Sequence, residues 1–164
     1  MCKKIFACWL YILMLPSGTW ADLPLPSPNG IQFPSSYRDW RVLTFFHRTD
    51  MEDLRLVLGN DIAMDAVRQK ISWPEGTSIV KIAWRTETRS HFGNAVIPDR
   101  FIEIGFMIKD KTKFPETGGW GFAQWSGRTL TPYGENQHFE KECFGCHLLA
   151  KDNDYVFVKP LSMP

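Results

Sequence analysis

Runs of apolar, β-branched and aromatic residues, some of them alternating with polar ones, follow one another through most of the chain. Side chains of a strand point alternately to its two faces, so such runs between turn residues predict strands with at least one buried face. The predicted strands cover residues 37–47, 54–58, 77–85, 101–109, 118–125 and 154–158.

Two other stretches have helical rather than strand character. Ile62, Ala66 and Val67 have helical spacing, and Gly59, Asn60 and Asp61 before them offer a helix cap. A second helix is predicted to start near Asn136, after a turn containing Pro132 and Gly134. The pattern therefore predicts a mainly β (α+β) fold: an antiparallel sheet with a few helices, the C-terminal one of which carries the motif described below.

The first residues have the pattern of a secretory signal peptide. Lys3 and Lys4 precede an apolar run at 5–15, and a break with small residues ends at Ala21. The alternative is a membrane anchor, but a run of eleven residues is too short to span a bilayer. We therefore predict cleavage after Ala21 and a periplasmic protein. The domain organisation predicted is a signal peptide at 1–21, an extended, proline-containing arm at 22–36, and a single domain at 37–164.

Charge narrows the choice of partners. Without the two lysines of the signal, 17 basic residues face 18 acidic ones, a net charge of −1. No basic cluster is long enough to indicate nucleic acid or a membrane surface as a partner. Cys2 and Cys8 leave with the signal, so Cys143 and Cys146 are the cysteines that remain.

Cys143, Cys146 and His147 form Cys-x-x-Cys-His, the attachment pattern of c-type haem. On a helix, residues three and four apart share a face, so both thiols can reach the haem vinyl groups while His147 ligates the iron. One alternative is half of a zinc site, which needs about four ligands. Another is a redox dithiol, which normally follows a strand in a βαβ unit.

Two isolated charges in the predicted strands are candidate site residues. Lys81 shares a strand face with Ala83, and Glu103 shares one with Phe101 and Gly105. One interpretation is a solvated sheet face on which Lys81 and Glu103 form a weak cross-strand pair. The other is that both face the haem cavity, where Lys81 could act as a nucleophile and Glu103 as a proton acceptor.

The chain resembles the cytochrome P-460 and cytochrome c′-beta family of bacterial periplasmic haem proteins. The matching stretches are Tyr-Arg-Asp-Trp-Arg at 37–41, His-Arg-Thr-Asp at 47–50, Leu-Arg-Leu-Val-Leu-Gly-Asn-Asp at 54–61, Trp-Pro-Glu-Gly-Thr at 73–77, Phe-Met-Ile-Lys-Asp at 106–110, Gly-Gly-Trp-Gly-Phe at 118–122 and Glu-Cys-Phe-Gly-Cys-His at 142–147.

This resemblance implies a mostly antiparallel β fold, a homodimer and a five-coordinate haem with His147 as proximal ligand. In the P-460 branch a strand lysine is bonded to the porphyrin edge and the enzyme oxidises hydroxylamine; Lys81 is the matching position, and Glu103 near the distal side would favour that branch further. In the c′-beta branch the cross-link is missing, phenylalanines line the distal pocket, and the protein binds nitric oxide.

The supply of sixth ligands separates an open haem site from a closed one. An electron carrier usually has both axial sites filled, often with Met opposite His. After His147 the chain offers only Met163. Other candidates are Met107, His47, His91 and His138, and an open site is favoured over any of them. Aromatic residues that could keep water from the site are Phe45, Phe46, Phe92 and Phe101.

These patterns together predict a hydroxylamine-oxidising haem enzyme with covalent haem c, held by Cys143, Cys146 and His147. Lys81 and Glu103 are its predicted catalytic residues, and Lys81 its predicted second covalent link to the haem. The product would be nitrous oxide or nitric oxide, and a small cytochrome would accept the electrons. The alternatives are a nitric oxide-binding protein and a plain electron-transfer cytochrome.

Overall fold

The computed structural model describes residues 23–87, 93 and 95–161. Its strands and α-helices in chain order are β1 (Arg41–Arg48), β2 (Asp53–Gly59), α1 (Asp61–Gln69), β3 (Ser78–Glu87), β4 (Ile97–Lys109), β5 (Trp120–Ser126), β6 (Thr131–Pro132) and α2 (Phe139–His147). Short 3-10 helices lie at Ser35–Asp39, Pro115–Thr117 and Leu148–Asn153. The predicted fold class is confirmed. The predicted signal peptide lies outside the described residues, and no helix within them is both long and apolar enough to cross a bilayer.

The sheet is a six-stranded antiparallel meander in which each strand pairs with the next one along the chain. Its register places Lys81 of β3 opposite Val57 of β2 and Gly105 of β4. Two residues further along β3, on the same face as Lys81, Ala83 lies opposite Glu103 of β4, which in turn lies opposite Ser126 of β5. Side chains that face each other across an antiparallel pair lie on the same face. Lys81 and Glu103 are therefore on one face of the sheet.

Each face of the sheet carries its own apolar cluster. On one face α1, α2 and the C-terminal segment pack over the strands; the buried members of this helix-side cluster are Leu43, Val57, Ala63, Ala66, Trp73, Ile79, Met107, Trp120, Phe122 and Val156. On the other face lies the N-terminal arm; the buried members of this arm-side cluster are Ile31, Phe33, Leu58, Val80, Ile82, Ile104, Phe106, Phe114, Ala123 and Trp125. Val57 belongs to the helix-side cluster, so Lys81, its cross-strand partner, lies on the helix side.

Asn60 caps α1 as the sequence predicted. Its side-chain oxygen accepts hydrogen bonds from the backbone N–H groups of Ala63 and Ser78, at 3.0 and 3.1 Å. The first bond satisfies a donor that the first turn of a helix leaves without a partner. The second ties the start of the helix to β3, the strand that carries Lys81.

Three local predictions differ from the structure. Ala83 pairs with Glu103 but Trp84 pairs with Phe101, so Ile102 is an extra residue in β4. This bulge turns Phe101 to the arm side, where its ring packs against that of Trp84 at a centroid distance of 6.5 Å. The prediction that Phe101 shares a face with Glu103 is therefore wrong.

The other two differences are at the C-terminal end. Residues 154–158 form no strand, because Asp154 and Tyr155 have φ angles of 51° and 65°, in the left-handed region. The second helix begins at Phe139 rather than near Asn136. Asn136 instead makes a turn of its own, in which its side-chain oxygen accepts a hydrogen bond from the N–H of His138 at 2.9 Å.

Candidate haem site

Helix α2 presents the attachment motif along the edge of the helix-side cluster. Cys143 and Phe144 pack against that cluster, and Cys146 is exposed. Both thiols are free. Burial raises the pKa of the Cys143 thiol to about 11, and the positive charge of Lys81 partly opposes this rise. The positive charge of Lys81 therefore has an electrostatic effect on Cys143, the first cysteine of the motif.

The N-terminal arm fixes α2 against the sheet. Asn29 donates a hydrogen bond from its Nδ2 to the carbonyl oxygen of Phe122 on β5 at 2.8 Å, and it also donates to Glu140 on α2. One arm residue thus bridges a central strand and the first turn of the motif helix. An arm predicted only as an extended segment therefore contributes to the placement of the site.

His147 is held in an orientation suitable for ligating a metal. Its Nδ1 lies 2.7 Å from the carbonyl oxygen of Tyr155, so the tautomer that satisfies this contact carries its proton on Nδ1 and leaves Nε2 free. The rings of Phe122 and Phe157 lie at centroid distances of 5.0 Å from the imidazole. Such a hydrogen bond to a backbone carbonyl is typical of histidines that bind metals through the other ring nitrogen.

The electrostatic surroundings favour neutral His147. Burial lowers the pKa of His147 below its ordinary value, the hydrogen bond to Tyr155 opposes that shift, and the charge of Lys81 adds to it. Neutral imidazole is the form that binds iron. The distance, the tautomer and the charge state of His147 thus agree with one role, that of a proximal ligand.

Lys81 and Glu103 are in direct contact. The Nζ of Lys81 lies 2.5 Å from Oε1 of Glu103, and 30 % and 21 % of their side chains are exposed. The pair is therefore neither a fully solvated surface pair nor a buried one. The two residues form a cross-strand pair, as the first interpretation of the sequence described. They lie on the helix side of the sheet, where α2 packs, which is compatible with the second interpretation, that both face the haem cavity.

Gln124 of β5 completes this polar group, and the sequence patterns did not single it out. Its Nε2 donates a hydrogen bond to Oε2 of Glu103 at 2.8 Å, so each carboxylate oxygen of Glu103 has one partner. The signal for Gln124 in the sequence is a polar residue between Ala123 and Trp125 in an apolar strand. Its contact with Glu103 could not be predicted without the register of β4 and β5, which places Gln124 opposite Gly105.

Small residues leave space beside this polar group. A Cβ atom added at Gly105 would have as nearest neighbours Cε of Lys81 at 3.7 Å and the carbonyl oxygen of Ala123 at 3.8 Å. These are ordinary contact distances, so Gly105 is not required by backbone crowding. The side chains of Lys81 and Gln124 occupy the space that the glycine leaves above the strand.

These residues fit a c-type haem. Two thiols and an imidazole follow one another along α2, the imidazole already has its outer partner, and aromatic rings flank it. Lys81, Glu103 and Gln124 supply polar atoms on the same side of the sheet. Among residues 23–87, 93 and 95–161, no group of three His, Cys, Asp or Glu side chains is placed to hold a metal ion.

Of the other candidate ligands, one is buried in the core, two are exposed, and two lie outside the described residues. Met107 is buried within the helix-side cluster, and His138 is exposed just before α2. His47 is exposed on β1, opposite Leu54, which in turn lies opposite Trp84 of the arm side. His91 and Met163 lie outside the described residues.

The predicted aromatic shield differs from the one in the structure. Phe45 is 64 % exposed, Phe46 is exposed, Phe101 is on the arm side, and Phe92 lies outside the described residues. The aromatic rings near the motif are those of Phe122, Phe144, Tyr155 and Phe157. The last two come from a segment predicted as a strand, so the sequence pattern did not place them near His147.

A comparison with protein families agrees with this geometry. A family model described as Cytochrome P460 matches residues 34–158, which is most of the chain and includes both the sheet and α2. No curated protein matches the chain. The chain belongs to the cytochrome P460 family, and this membership implies a c-type haem protein.

Proposed function

We propose that this protein is a periplasmic haem enzyme that oxidises hydroxylamine. Thioether bonds from Cys143 and Cys146 hold the haem, and Nε2 of His147 ligates the iron. The observation that carries the proposal is the polar group of Lys81, Glu103 and Gln124 on the helix side of the sheet, the side against which Cys143 and Phe144 of α2 pack. As the family resemblance implies, the enzyme acts as a homodimer.

The oxidation of hydroxylamine releases both protons and electrons, and each of these needs an acceptor. One hydroxylamine that becomes nitric oxide releases three protons and three electrons. Two hydroxylamines that become nitrous oxide and water release four of each. A bound haem would supply an iron that accepts the electrons of the substrate, and a small cytochrome would accept them in turn. The protons need an acceptor inside the site, and Glu103 has that role.

The hydrogen bonds of Glu103 suit a proton acceptor. Gln124 orients the carboxylate through Oε2, while Oε1 meets Lys81. When the lysine nitrogen turns to another partner, Oε1 is released for a proton from the substrate. A positioned base of this kind typically contributes about a hundred- to ten-thousandfold in rate. When the Lys81 side chain moves away from Glu103, the small residues Gly105 and Ala83 leave room there for a ligand as small as hydroxylamine.

Lys81 has a second role in this proposal, as the residue bonded to the porphyrin edge. The bond replaces one N–H of the amine and one C–H of the porphyrin by an N–C bond. Two protons and two electrons are lost, so formation of the bond requires an oxidant such as a peroxide. The lysine must first leave Glu103 and give up a proton, because only the neutral amine is a nucleophile.

A nitric oxide-binding protein is the second candidate, and one observation favours it. The contact between Lys81 and Glu103 is a short ion pair, and an ammonium group held in such a pair does not attack carbon. A lysine that stays in this pair leaves the haem without a cross-link, as in the c′-beta branch of the family.

The optical spectrum of the purified holoprotein, combined with a hydroxylamine oxidation assay, tests the proposal. The enzyme should have a ferrous Soret band far to the red of an ordinary c-type haem, together with turnover that reduces an added electron acceptor. An ordinary five-coordinate, high-spin spectrum without turnover would instead support the nitric oxide binder. A six-coordinate, low-spin spectrum would support an electron carrier and would contradict both proposals.

A further inference from the structure

An ion pair with a buried lysine lies next to the turn that contacts the proximal histidine. Lys109, at the end of β4, is 2 % exposed, and its Nζ lies 2.7 and 2.8 Å from the two carboxylate oxygens of Asp154. The same ammonium donates to the carbonyl oxygen of Gly118 at 3.2 Å and lies 4.8 Å from the ring centre of Trp120. The lysine is thus fully enclosed, and its donors have partners.

Such a pair needs an explanation other than stability. Removing the charge of Lys109 from water is costly even though Asp154 keeps 27 % of its side chain exposed, and apolar residues of similar volume are often as stable as such a pair. Lys109 and Asp154 belong to different parts of the fold, a central strand and the segment after α2. The pair therefore fixes the position of one relative to the other, and the question is what Asp154 has to hold in place.

Asp154 begins a strained turn. Asp154 and Tyr155 are consecutive residues with positive φ, and neither is a glycine. A non-glycine residue in this region is unfavourable and persists only where its surroundings hold it. The surroundings here are Lys109, which binds the Asp154 side chain, and Trp120, whose indole Nε1 donates a hydrogen bond to the Asp154 carbonyl oxygen at 2.9 Å.

The turn held in this way carries the partner of His147. The carbonyl oxygen of Tyr155, the residue after Asp154, accepts the hydrogen bond of His147 Nδ1 at 2.7 Å. Backbone strain located next to a site residue is a recognised sign that the conformation serves that site. The contacts thus run from Lys109 through Asp154 and the Tyr155 carbonyl to the imidazole.

We propose that Lys109 and Asp154 are positioning residues that set the strength of the bond between His147 and the haem iron. The proposal rests on the proposed function, in which His147 is the proximal ligand. A carbonyl acceptor at Nδ1 orients the ring and increases the electron donation of the other nitrogen. When the ion pair is lost, the turn relaxes, the carbonyl moves away from Nδ1, and the iron–histidine bond weakens.

The experiment measures the iron–histidine stretching frequency of the ferrous holoprotein by resonance Raman spectroscopy. In Lys109→Met the frequency should fall below that of wild type. Lys109→Arg, which keeps a cation that can bind both carboxylate oxygens, should recover part of the shift. Lys111→Met, which changes a surface lysine two residues further along the chain, is the matched control and should leave the frequency unchanged.

A double variant distinguishes a loss of His147 positioning from a loss of protein stability and from a change of net charge. Lys109→Met combined with Asp154→Asn removes both charges and keeps a residue that tolerates positive φ, so it should fold where the single variant is unstable. Its net charge equals that of wild type. The reduction potential of this variant should rise, because a weaker imidazole donor stabilises ferric iron less.

Val80→Ala provides the stability control. Val80 is fully buried in the arm-side cluster, so this variant should lower the unfolding midpoint and leave the iron–histidine frequency unchanged. Wild-type frequency and potential in the double variant would overturn the positioning proposal. Absence of haem or of a histidine-ligated iron in the wild type would instead overturn the proposed function itself.

Discussion

Lys81 on β3 and Glu103 on β4 meet with 2.5 Å between Nζ and Oε1, although they are not directly opposite each other in the sheet. Lys81 faces Gly105 and Glu103 faces Ala83, so each charge lies beside a small residue on the neighbouring strand. The two long side chains meet diagonally across the space that these small residues leave. The contact joins the two residues to which the proposed function assigns chemistry.

The first prediction concerns haem attachment. If Cys143 and Cys146 both form thioether bonds, the wild-type holoprotein should have the mass of the mature chain plus one haem. Acid–acetone should not extract the haem from it. In the combined Cys143→Ala, Cys146→Ala and Lys81→Arg variant, which lacks all three proposed covalent links, the haem should extract completely. Denaturing mass spectrometry before and after extraction measures both outcomes. Free extraction from the wild type would contradict the covalent attachment on which the rest depends.

The second prediction concerns the chemistry of Lys81. Lys81→Arg keeps the positive charge and approximately the length, but guanidinium does not lose its proton and cannot act as a nucleophile. We expect an ordinary c-type spectrum and loss of hydroxylamine oxidation. Lys111→Arg, on the surface, serves as the control and should keep the wild-type spectrum and rate. A red-shifted Soret band in Lys81→Arg would show that the band does not come from this residue.

The third prediction concerns Glu103 as the proton acceptor. Glu103→Ala should lower the turnover of hydroxylamine by about a hundred- to ten-thousandfold while hydroxylamine still binds. Because the pair with Lys81 is partly exposed, its removal should cost at most about 1 kcal/mol of unfolding free energy. Gln124→Ala leaves the carboxylate in place without its amide partner and should have a smaller effect on the rate.

Stopped-flow spectroscopy separates binding from turnover in these variants. Glu135→Ala, which removes an exposed carboxylate just before α2, is the control and should behave as wild type. If Glu103→Ala turns over at the wild-type rate, the proton acceptor is another group and Glu103 has only a structural role.

The fourth prediction concerns the segment that carries the partner of His147. Gly118 and Gly127 have nearly equal φ angles of 67° and 66°, so alanine costs about 1–2 kcal/mol of backbone strain at either position. A Cβ at Gly118 would also overlap the ring of Tyr155, whereas a Cβ at Gly127 would meet nothing within 4 Å. Gly118→Ala should therefore lose more unfolding free energy than Gly127→Ala.

Denaturant unfolding of the two glycine variants measures this difference, and the strain common to both cancels from it. Gly118→Ala should in addition change the iron–histidine frequency, because displacement of Tyr155 moves its carbonyl oxygen. Equal losses in the two variants would mean that the Tyr155 segment moves aside at no cost.

The sequence was sufficient for those features that depend on local pattern. The alternation in β3 placed Lys81 with Ile79 and Ala83 and apart from Val80, and both the sheet register and the clusters agree. The cap at Asn60 follows from a side chain that satisfies a helix N–H. These are interactions over a few residues, and their physical causes are visible in the residue types.

Features that depend on distant contacts could not be predicted in this way. The bulge at Ile102 breaks the alternation of β4, so Phe101 was assigned to the wrong face. The segment 154–158 has the apolar and aromatic pattern of a strand. Contacts from Lys109 and Trp120, however, hold Asp154 and Tyr155 in a left-handed turn. Lys109 lies more than forty residues before Asp154, and no period in the sequence connects them.

The most direct test of the proposed function is a map of the peptides bonded to the haem. Tryptic digestion of the wild-type holoprotein, followed by isolation of the haem peptide and mass spectrometry, should give one species that contains both the α2 segment with Cys143 and Cys146 and the β3 segment with Lys81. Trypsin should fail to cleave after Lys81 in that species. A haem peptide with the α2 segment alone, with the Lys81 peptide recovered free, would contradict the cross-linked enzyme and support the nitric oxide binder.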